Sequence, residues 1–224
     1  KFKKNLKVSA TPLADCKFSY MPSWSFCLKD NIYPNLLREI HKPPEKLFYR
    51  GNPAYLFKSC IAVVGTRKIS EYGYYVTKKI VEELALYDVC IVSGLATGVD
   101  TLAHKTALEN NLPTIAILGS GINNIYPHAN RKLAEEIEEN GLILSEYEAL
   151  TAPLDFQFPK RNRIISGISL GVIVTEAGEK SGALITANFA LEQGHEIFTI
   201  PGDIDREGSK GILQLLQKGA AYPV

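Results

Sequence analysis

From Ser59 onward, short apolar runs recur, each stopping at small or polar residues and each followed by a segment with helical spacing. Residues 60–64 (Cys-Ile-Ala-Val-Val) stop at Gly65, and residues 89–92 stop at Ser93-Gly94. Residues 114–118 stop at Gly119-Ser120-Gly121, and residues 142–144 at Ser145-Glu146. Two more runs lie at 171–175 and 197–200. Uninterrupted runs of this length belong to strands covered on both faces. Between them, Tyr72, Val76, Ile80 and Leu84 form one stripe of a helix starting near Ser70. Further helices are expected at 99–109, around Leu133 and Ile137 up to Asn140-Gly141, and from about Gly182 to Gly194. Strand, small-residue loop and helix, repeated five or six times, predict an α/β fold with a doubly wound, mostly parallel sheet and helices on both faces.

The first 58 residues read differently, as an N-terminal extension packed on a core domain of residues 59–224. A basic cluster (Lys1, Lys3, Lys4, Lys7) without clear period opens the chain, as in a segment that begins inside a larger protein. Short strands are expected at 26–28 and 47–49, with a short helix at 33–40 closed by Pro43-Pro44.

Composition narrows the function. The formal charge is only +1, so any nucleic-acid surface must be a local patch and not a general polycation. No run nears the roughly 18 apolar residues of a membrane span, and no signal-peptide core opens the chain. Cys16, Cys27, Cys60 and Cys90 show no CxxC pairing, which suits a reducing cytoplasm.

Ligands of doubly wound sheets bind at the carboxyl ends of the strands. That rim gathers Gly65-Thr66-Arg67, the loop from Ser93-Gly94 to Gly98, Ser120 between two glycines, and Ser181-Gly182. Small residues there let backbone N–H groups approach an anion. Tight turns alone explain any single glycine; several such loops beside Arg67 favour anion binding. The long loop after Glu146 brings Phe158-Pro159-Lys160-Arg161-Asn162-Arg163 to the same rim. Pro159 reads as the end of a loop at a helix N-terminus, with Asn162 a candidate cap and three cations set to grip phosphate. A solvated basic turn is the plainer alternative. Glu146 and Glu176 are candidate partners that orient Arg161 or Arg163, or else a carboxylate pair.

Other chemistries find no complete set. GxxxxGK[ST], GxSxG and a full GxGxxG after the first strand are all missing. Asp100 and His104 share a helix face, but no third ligand is spaced to join them, so a polar contact is expected and not a metal site.

Several segments in order resemble the DNA-processing protein A (DprA/Smf) family. They are Ala62-Val63-Val64-Gly65-Thr66-Arg67, residues 93–100 with His104, Tyr126-Pro127-His128-Ala129-Asn130, Leu144-Ser145-Glu146, residues 158–165, residues 181–187 and Pro201-Gly202. The resemblance covers roughly 24–222. It implies an extended Rossmann-like fold in a cytoplasmic homodimer that binds and protects incoming single-stranded DNA in natural transformation. It further implies that the protein helps load the RecA recombinase and is neither an enzyme nor a cofactor carrier. The matching positions for DNA are Gly65, Thr66, Arg67, Ser93, Gly94, Gly98, Ser120, Phe158, Lys160, Arg161, Asn162, Arg163, Ser181 and Gly182. Asp155 and His128 depart from the family pattern, which often has basic residues at both places. The competing reading is a nucleotide-binding enzyme of the lysine-decarboxylase-like phosphoribohydrolase group. Its PGGxGTxxE segment is not found at 176–183.

Overall fold

The computed structural model describes residues 24–224; the lysine cluster at 1–7 and Cys16 lie outside the described residues. The strands are β1 (Trp24–Cys27), β2 (Lys46–Gly51), β3 (Ser59–Val64), β4 (Val89–Ser93), β5 (Thr114–Leu118), β6 (Leu142–Ser145), β7 (Gly171–Val174), β8 (Glu196–Thr199) and β9 (Tyr222–Pro223). The helices are α1 (Asn35–Glu39), α2 (Glu71–Leu84), α3 (Val99–Glu109), α4 (Arg131–Asn140), α5 (Gln157–Gly167), α6 (Gly182–Glu192) and α7 (Lys210–Gln217).

All nine strands share one sheet, in the order β1-β2-β6-β5-β4-β3-β7-β8-β9. From β6 to β9 every pairing is parallel, while β1 and β2 add to the β6 edge antiparallel. The segment before Ser59 therefore extends the sheet itself. Arg50 of β2 ties that edge down by an ion pair with Glu138 of α4.

Strand alternation explains the two layers. Val64, Val92, Ile117, Leu144 and Val174 face one side, where they pack with Leu37 of α1, Ile164 of α5, Ala187 of α6 and Ile212 of α7. The residues in between, Val63, Ile91 and Ile173, meet Val81 of α2 and Ala103 of α3. On that same second side Ala116 and Ile143 meet Leu133 and Ile137 of α4. Both faces are buried, so each run is apolar throughout. Cys60 and Cys90 sit opposite each other on β3 and β4, and burial pushes the Cys90 thiol up.

From β3 the chain winds outward through β4, β5 and β6, then returns to β7 on β3's other side. The topological switch point therefore falls between β3 and β7, where crevices form in such sheets. Ser70 caps α2 by accepting from Gly73 N at 3.0 Å, and Ser181 caps α6 by accepting from Ala183 N at 3.3 Å.

One expectation is corrected here. Helix α5 starts at Gln157, before the proline, not after it. Pro159 sits in the first turn, where its missing N–H has no intrahelical acceptor to serve and its φ suits a helix. The turn ahead is closed by the Gln157 side chain, which accepts from Leu154 N at 3.0 Å. Asn162 lies inside the helix and caps nothing; its amide donates to Gly182 O at 3.3 Å instead.

Candidate nucleic-acid interface

At the switch point lies a cavity of about 440 Å³. Four stretches of chain line it: Gly65-Thr66-Arg67 after β3, Ala96 and Asp100 around the start of α3, Phe158, Arg161 and Asn162 of α5, and Ser181-Gly182 at the start of α6. Two backbone bonds hold the first loop in place. Thr66 N donates to Glu176 O at 2.8 Å, and Val99 N donates to Thr66 O at 3.1 Å. The approach of the two loops demands glycine at position 98. Gly98 has φ of 80°, and a Cβ there would collide with Thr66 O and lie 2.7 Å from the Arg67 carbonyl carbon.

Arg161 forms the floor. It is 3% exposed, and its Nη1 donates to Gly94 O at 2.7 Å and to Ile117 O, so it clasps the ends of β4 and β5 together. Its Nε donates to Asn162 Oδ1 at 3.1 Å. Burial pulls its pKa down to about 10. Asp100 closes the same knot from α3, accepting from Gly94 N at 3.1 Å and Ala96 N at 3.3 Å. Burial raises its carboxyl, against the lowering effect of Arg161. Gly94 runs between the two charges: a Cβ would come within 2.6 Å of Arg161 Nη2 and 2.8 Å of Asp100 Oδ2. Arg161 is thus consumed by the protein, and the exposed charge of the groove comes from Arg67, Lys68 and Lys180.

Above this floor stands an aromatic edge. The Phe158 ring is half-buried, with the Arg67 guanidinium carbon 5.7 Å from its centroid and the exposed Tyr126 ring at 5.5 Å. Gly119 seats it, since a Cβ there would meet Phe158 Cδ1 at 2.6 Å. A smaller recess of about 80 Å³ continues between Arg67, Tyr126 and Phe158. Cations over aromatic faces, open to solvent along one side, suit stacked bases and their phosphates.

The fourteen expected positions divide. Gly65, Thr66, Arg67, Phe158, Arg161, Asn162, Ser181 and Gly182 line the cavity, Gly94 lines the recess, and Gly98 lines neither but lets the two loops meet. Ser93 and Ser120 are buried and spend their hydroxyls on Val63 O and Asn124 O. Lys160 and Arg163 lie on another face of α5, at 3.5 Å and 2.6 Å from Glu146 Oε2. The pairing of an arginine with Glu146 is therefore present, but Glu176 is not part of it. Its carboxylate is buried and accepts from Ser70 N at 3.0 Å, with Gly73 and Gly208 pressed close on either side.

Lys68, Lys180 and Tyr126 belong to the groove without having been singled out. Tyr126 stands in the Tyr126-Pro127-His128 segment, and Lys180 directly precedes Ser181, so position beside known loops was the available signal. Asp155 is exposed ahead of α5 and lines neither cavity nor recess; His128 stands exposed, its ring centroid 6.1 Å from that of Tyr126.

Asp100 and His104 do not bond each other. The His104 Nδ1 meets Thr114 Oγ1 at 2.7 Å, and that hydroxyl donates to Ile91 O, so Nδ1 carries the proton. Among the described residues no group of three His, Cys, Asp or Glu side chains is placed to hold a metal. Burial, then the charge of Arg161, push His104 down to about 3. The unfolded chain therefore takes up a proton near pH 6.5 that the folded chain refuses. This histidine should cost stability as pH falls from 6.5 toward 3, by about 1.4 kcal/mol per pH unit. Urea midpoints measured at intervals of pH should show a shallower decline in His104→Asn than in the wild type.

A doubly wound sheet whose switch point carries a cationic, aromatic-edged groove defines a Rossmann-like α/β protein. The chain belongs to the DNA recombination-mediator protein A family, whose model matches residues 24–224. It is 46% identical to DNA processing protein DprA of Streptococcus pneumoniae over 88% of this chain and 69% of that protein. With protein Smf of Escherichia coli it shares 45% identity over 84% of this chain and 51% of the relative. The chain thus spans between half and about two thirds of the length of these relatives. The crystal structure of the Streptococcus protein superposes with a TM-score of 0.86, covering 89% of this chain and 70% of that one. DNA processing protein A from Helicobacter pylori, described for its single-stranded DNA binding mode, superposes at 0.81 with 34% identity over 89% of this chain and 90% of that one.

Proposed function

We propose that this chain binds single-stranded DNA along the switch-point groove, with Arg67 at the backbone and Phe158 and Tyr126 as the stacking edge. The observation that carries this is the set Arg67–Phe158–Tyr126, in which a cation and a second ring both pack on Phe158 around one recess. The strand meets the N–H groups of Gly65 and Gly182 and passes the side chains of Thr66 and Ser181, whose own amides are spent on Glu176 O and Gly178 O, while Arg161 and Asn162 shape the floor. Lys160 and Arg163 serve Glu146. The single-strand binding named for the Helicobacter relative supports this reading. The recombination-mediator role in the family's description supports a part in DNA recombination. We extend this to a cytoplasmic homodimer that shields DNA during transformation and delivers it to RecA without catalysis.

Fluorescence anisotropy with oligo-dT tests the groove. Affinity should fall steeply with salt, and Arg67→Ala should flatten that dependence by about one charge's worth of slope. Phe158→Ala should weaken binding by the worth of one stacked base, about 1–3 kcal/mol. Undiminished affinity in both variants would overturn the assignment. Release of free base from a nucleoside monophosphate would instead point to a nucleotide-cleaving enzyme.

A further inference from the structure

Leu95 is completely buried yet has a φ of 58°, a left-handed backbone that leucine seldom adopts. It lies in the loop after β4 that brings Gly94 and Ala96 to the aromatic recess. Three consecutive carbonyls of this loop accept from three different side chains. Gly94 O takes Arg161 at 2.7 Å, Leu95 O takes Asn130 at 2.9 Å, and Ala96 O takes the Thr101 hydroxyl at 2.6 Å. Arg161 belongs to the helix that bears Phe158. Asn130 closes the short turn that starts at Pro127, directly after Tyr126, and its own N–H donates to Pro127 O at 3.0 Å.

The Asn130 side chain is buried, at 6% exposed, and lines neither cavity nor recess. A carbonyl can only accept, so the amide nitrogen faces Leu95 O. Its second N–H goes to Thr101 Oγ1 at 2.8 Å, a hydroxyl free to accept because its own proton is on Ala96 O. Both donors of the amide are thereby spent on the loop. Packing runs the same way, since Ile125 and Leu95 share one apolar cluster. Upstream the segment is held by Ser120, whose hydroxyl donates to Asn124 O at 2.6 Å. Tyr126 stands between these two anchors.

We infer that Asn130 is the positioning residue of the aromatic edge: its two donated bonds tie the Tyr126–Pro127 turn to the Leu95 loop and so hold the Tyr126 ring against Phe158. The two rings are then referenced to adjacent carbonyls, Phe158 through Arg161 on Gly94 and Tyr126 through Asn130 on Leu95. The placement stands on this geometry; its consequence for DNA rests on the single-strand reading.

Asn130→Asp keeps the size, removes both donors and sets a carboxylate against the Leu95 carbonyl. Asn130→Ala removes the donors without adding charge. Fluorine NMR of the full chain labelled with 3-fluorotyrosine tests the placement without DNA. The residue 126 signal, assigned by its loss in Tyr126→Phe, should move in Phe158→Leu, which removes the neighbouring ring current. It should move in both Asn130 variants too, while signals of Tyr33 and Tyr49, in the other core layer, stay in place. An unmoved residue 126 signal would overturn the inference. Collapse of every tyrosine signal in both variants would overturn it as well, since Asn130 would then hold the fold at large. Oligo-dT anisotropy reads the consequence. Asn130→Asp should bind about fivefold or more weakly, the worth of one lost stacked base, and adding Tyr126→Ala should cost less than about twofold further. Lys180→Ala, at the other wall of the cavity, should remain additive. Where Tyr126→Ala alone weakens binding, full additivity with Asn130→Asp would refute the positioning role. A moved signal with wild-type affinity in Asn130→Asp and Tyr126→Ala alike would uphold the positioning and remove the aromatic edge from the DNA site instead.

Discussion

Arg161→Ala should lower the unfolding free energy by about 3–5 kcal/mol, the range for removing one charge from a buried, mutually compensated set. The side chain is almost fully enclosed and donates to the ends of two strands, Gly94 O and Ile117 O. Truncation strands both carbonyls and leaves Asp100 buried without the cation that offsets its burial. Arg161→Lys should recover only part of the loss, because an ammonium cannot reproduce the planar fork that spans two carbonyls and Asn162. Urea unfolding at neutral pH reads the effect directly. A midpoint equal to the wild type would show that the clasp contributes nothing. Binding to oligo-dT should fail in Arg161→Ala under conditions where the variant is still mostly folded, since Phe158 rides on the same helix.

The second large effect is expected at Gly98. Its φ of 80° and ψ of −126° fall in a region that residues with a side chain essentially avoid, costing of order 1–3 kcal/mol. A methyl group would also strike Thr66 O and the Arg67 carbonyl, both backbone, so a rotamer change cannot relieve it. Overpacking of this kind adds about 1–3 kcal/mol. Gly98→Ala should therefore be destabilised by about 2–6 kcal/mol, with the loop bearing Arg67 displaced from Phe158. Anisotropy with oligo-dT should show at least the loss seen in Arg67→Ala, with a melting temperature below wild type. Full retention of both properties would mean that the two loops yield without cost.

The positions of strands β3 to β8 were legible because burial on both faces leaves uninterrupted apolar runs, and because each run ends where small residues begin. The start of α5 was not. Proline reads as a breaker, yet in the first helical turn it breaks nothing, so the helix begins at Gln157 with Phe158 already on it. That earlier start puts the whole Lys160–Arg163 run on the helix and so decides which face each cation occupies. Residues 160 and 163 share a face at helical spacing, and 161 falls on another. Charge alone suggested one phosphate grip; helical phase makes a buried clasp and an ion-pair cluster. Glu176 was misplaced for a related reason. A carboxylate after a strand looks available to an arginine, but the Ser70 N–H lies closer and costs no rotamer freedom on the donor side. Tyr126 and Lys180 escaped attention because nothing local distinguishes a ring or cation that meets a groove from one that meets solvent.

The clasp made by Arg161 has a thermodynamic consequence for binding. Because β4, β5 and α5 are bolted together through one guanidinium, the groove is preorganised, and in the proposed complex the ordering entropy would fall on the incoming strand. Association should then be governed by charge steering and respond to salt, while substitutions at the aromatic edge should register in the dissociation rate. A flexible polymer that docks on a rigid cleft arrives at a rate set by its charges and leaves at a rate set by its stacking.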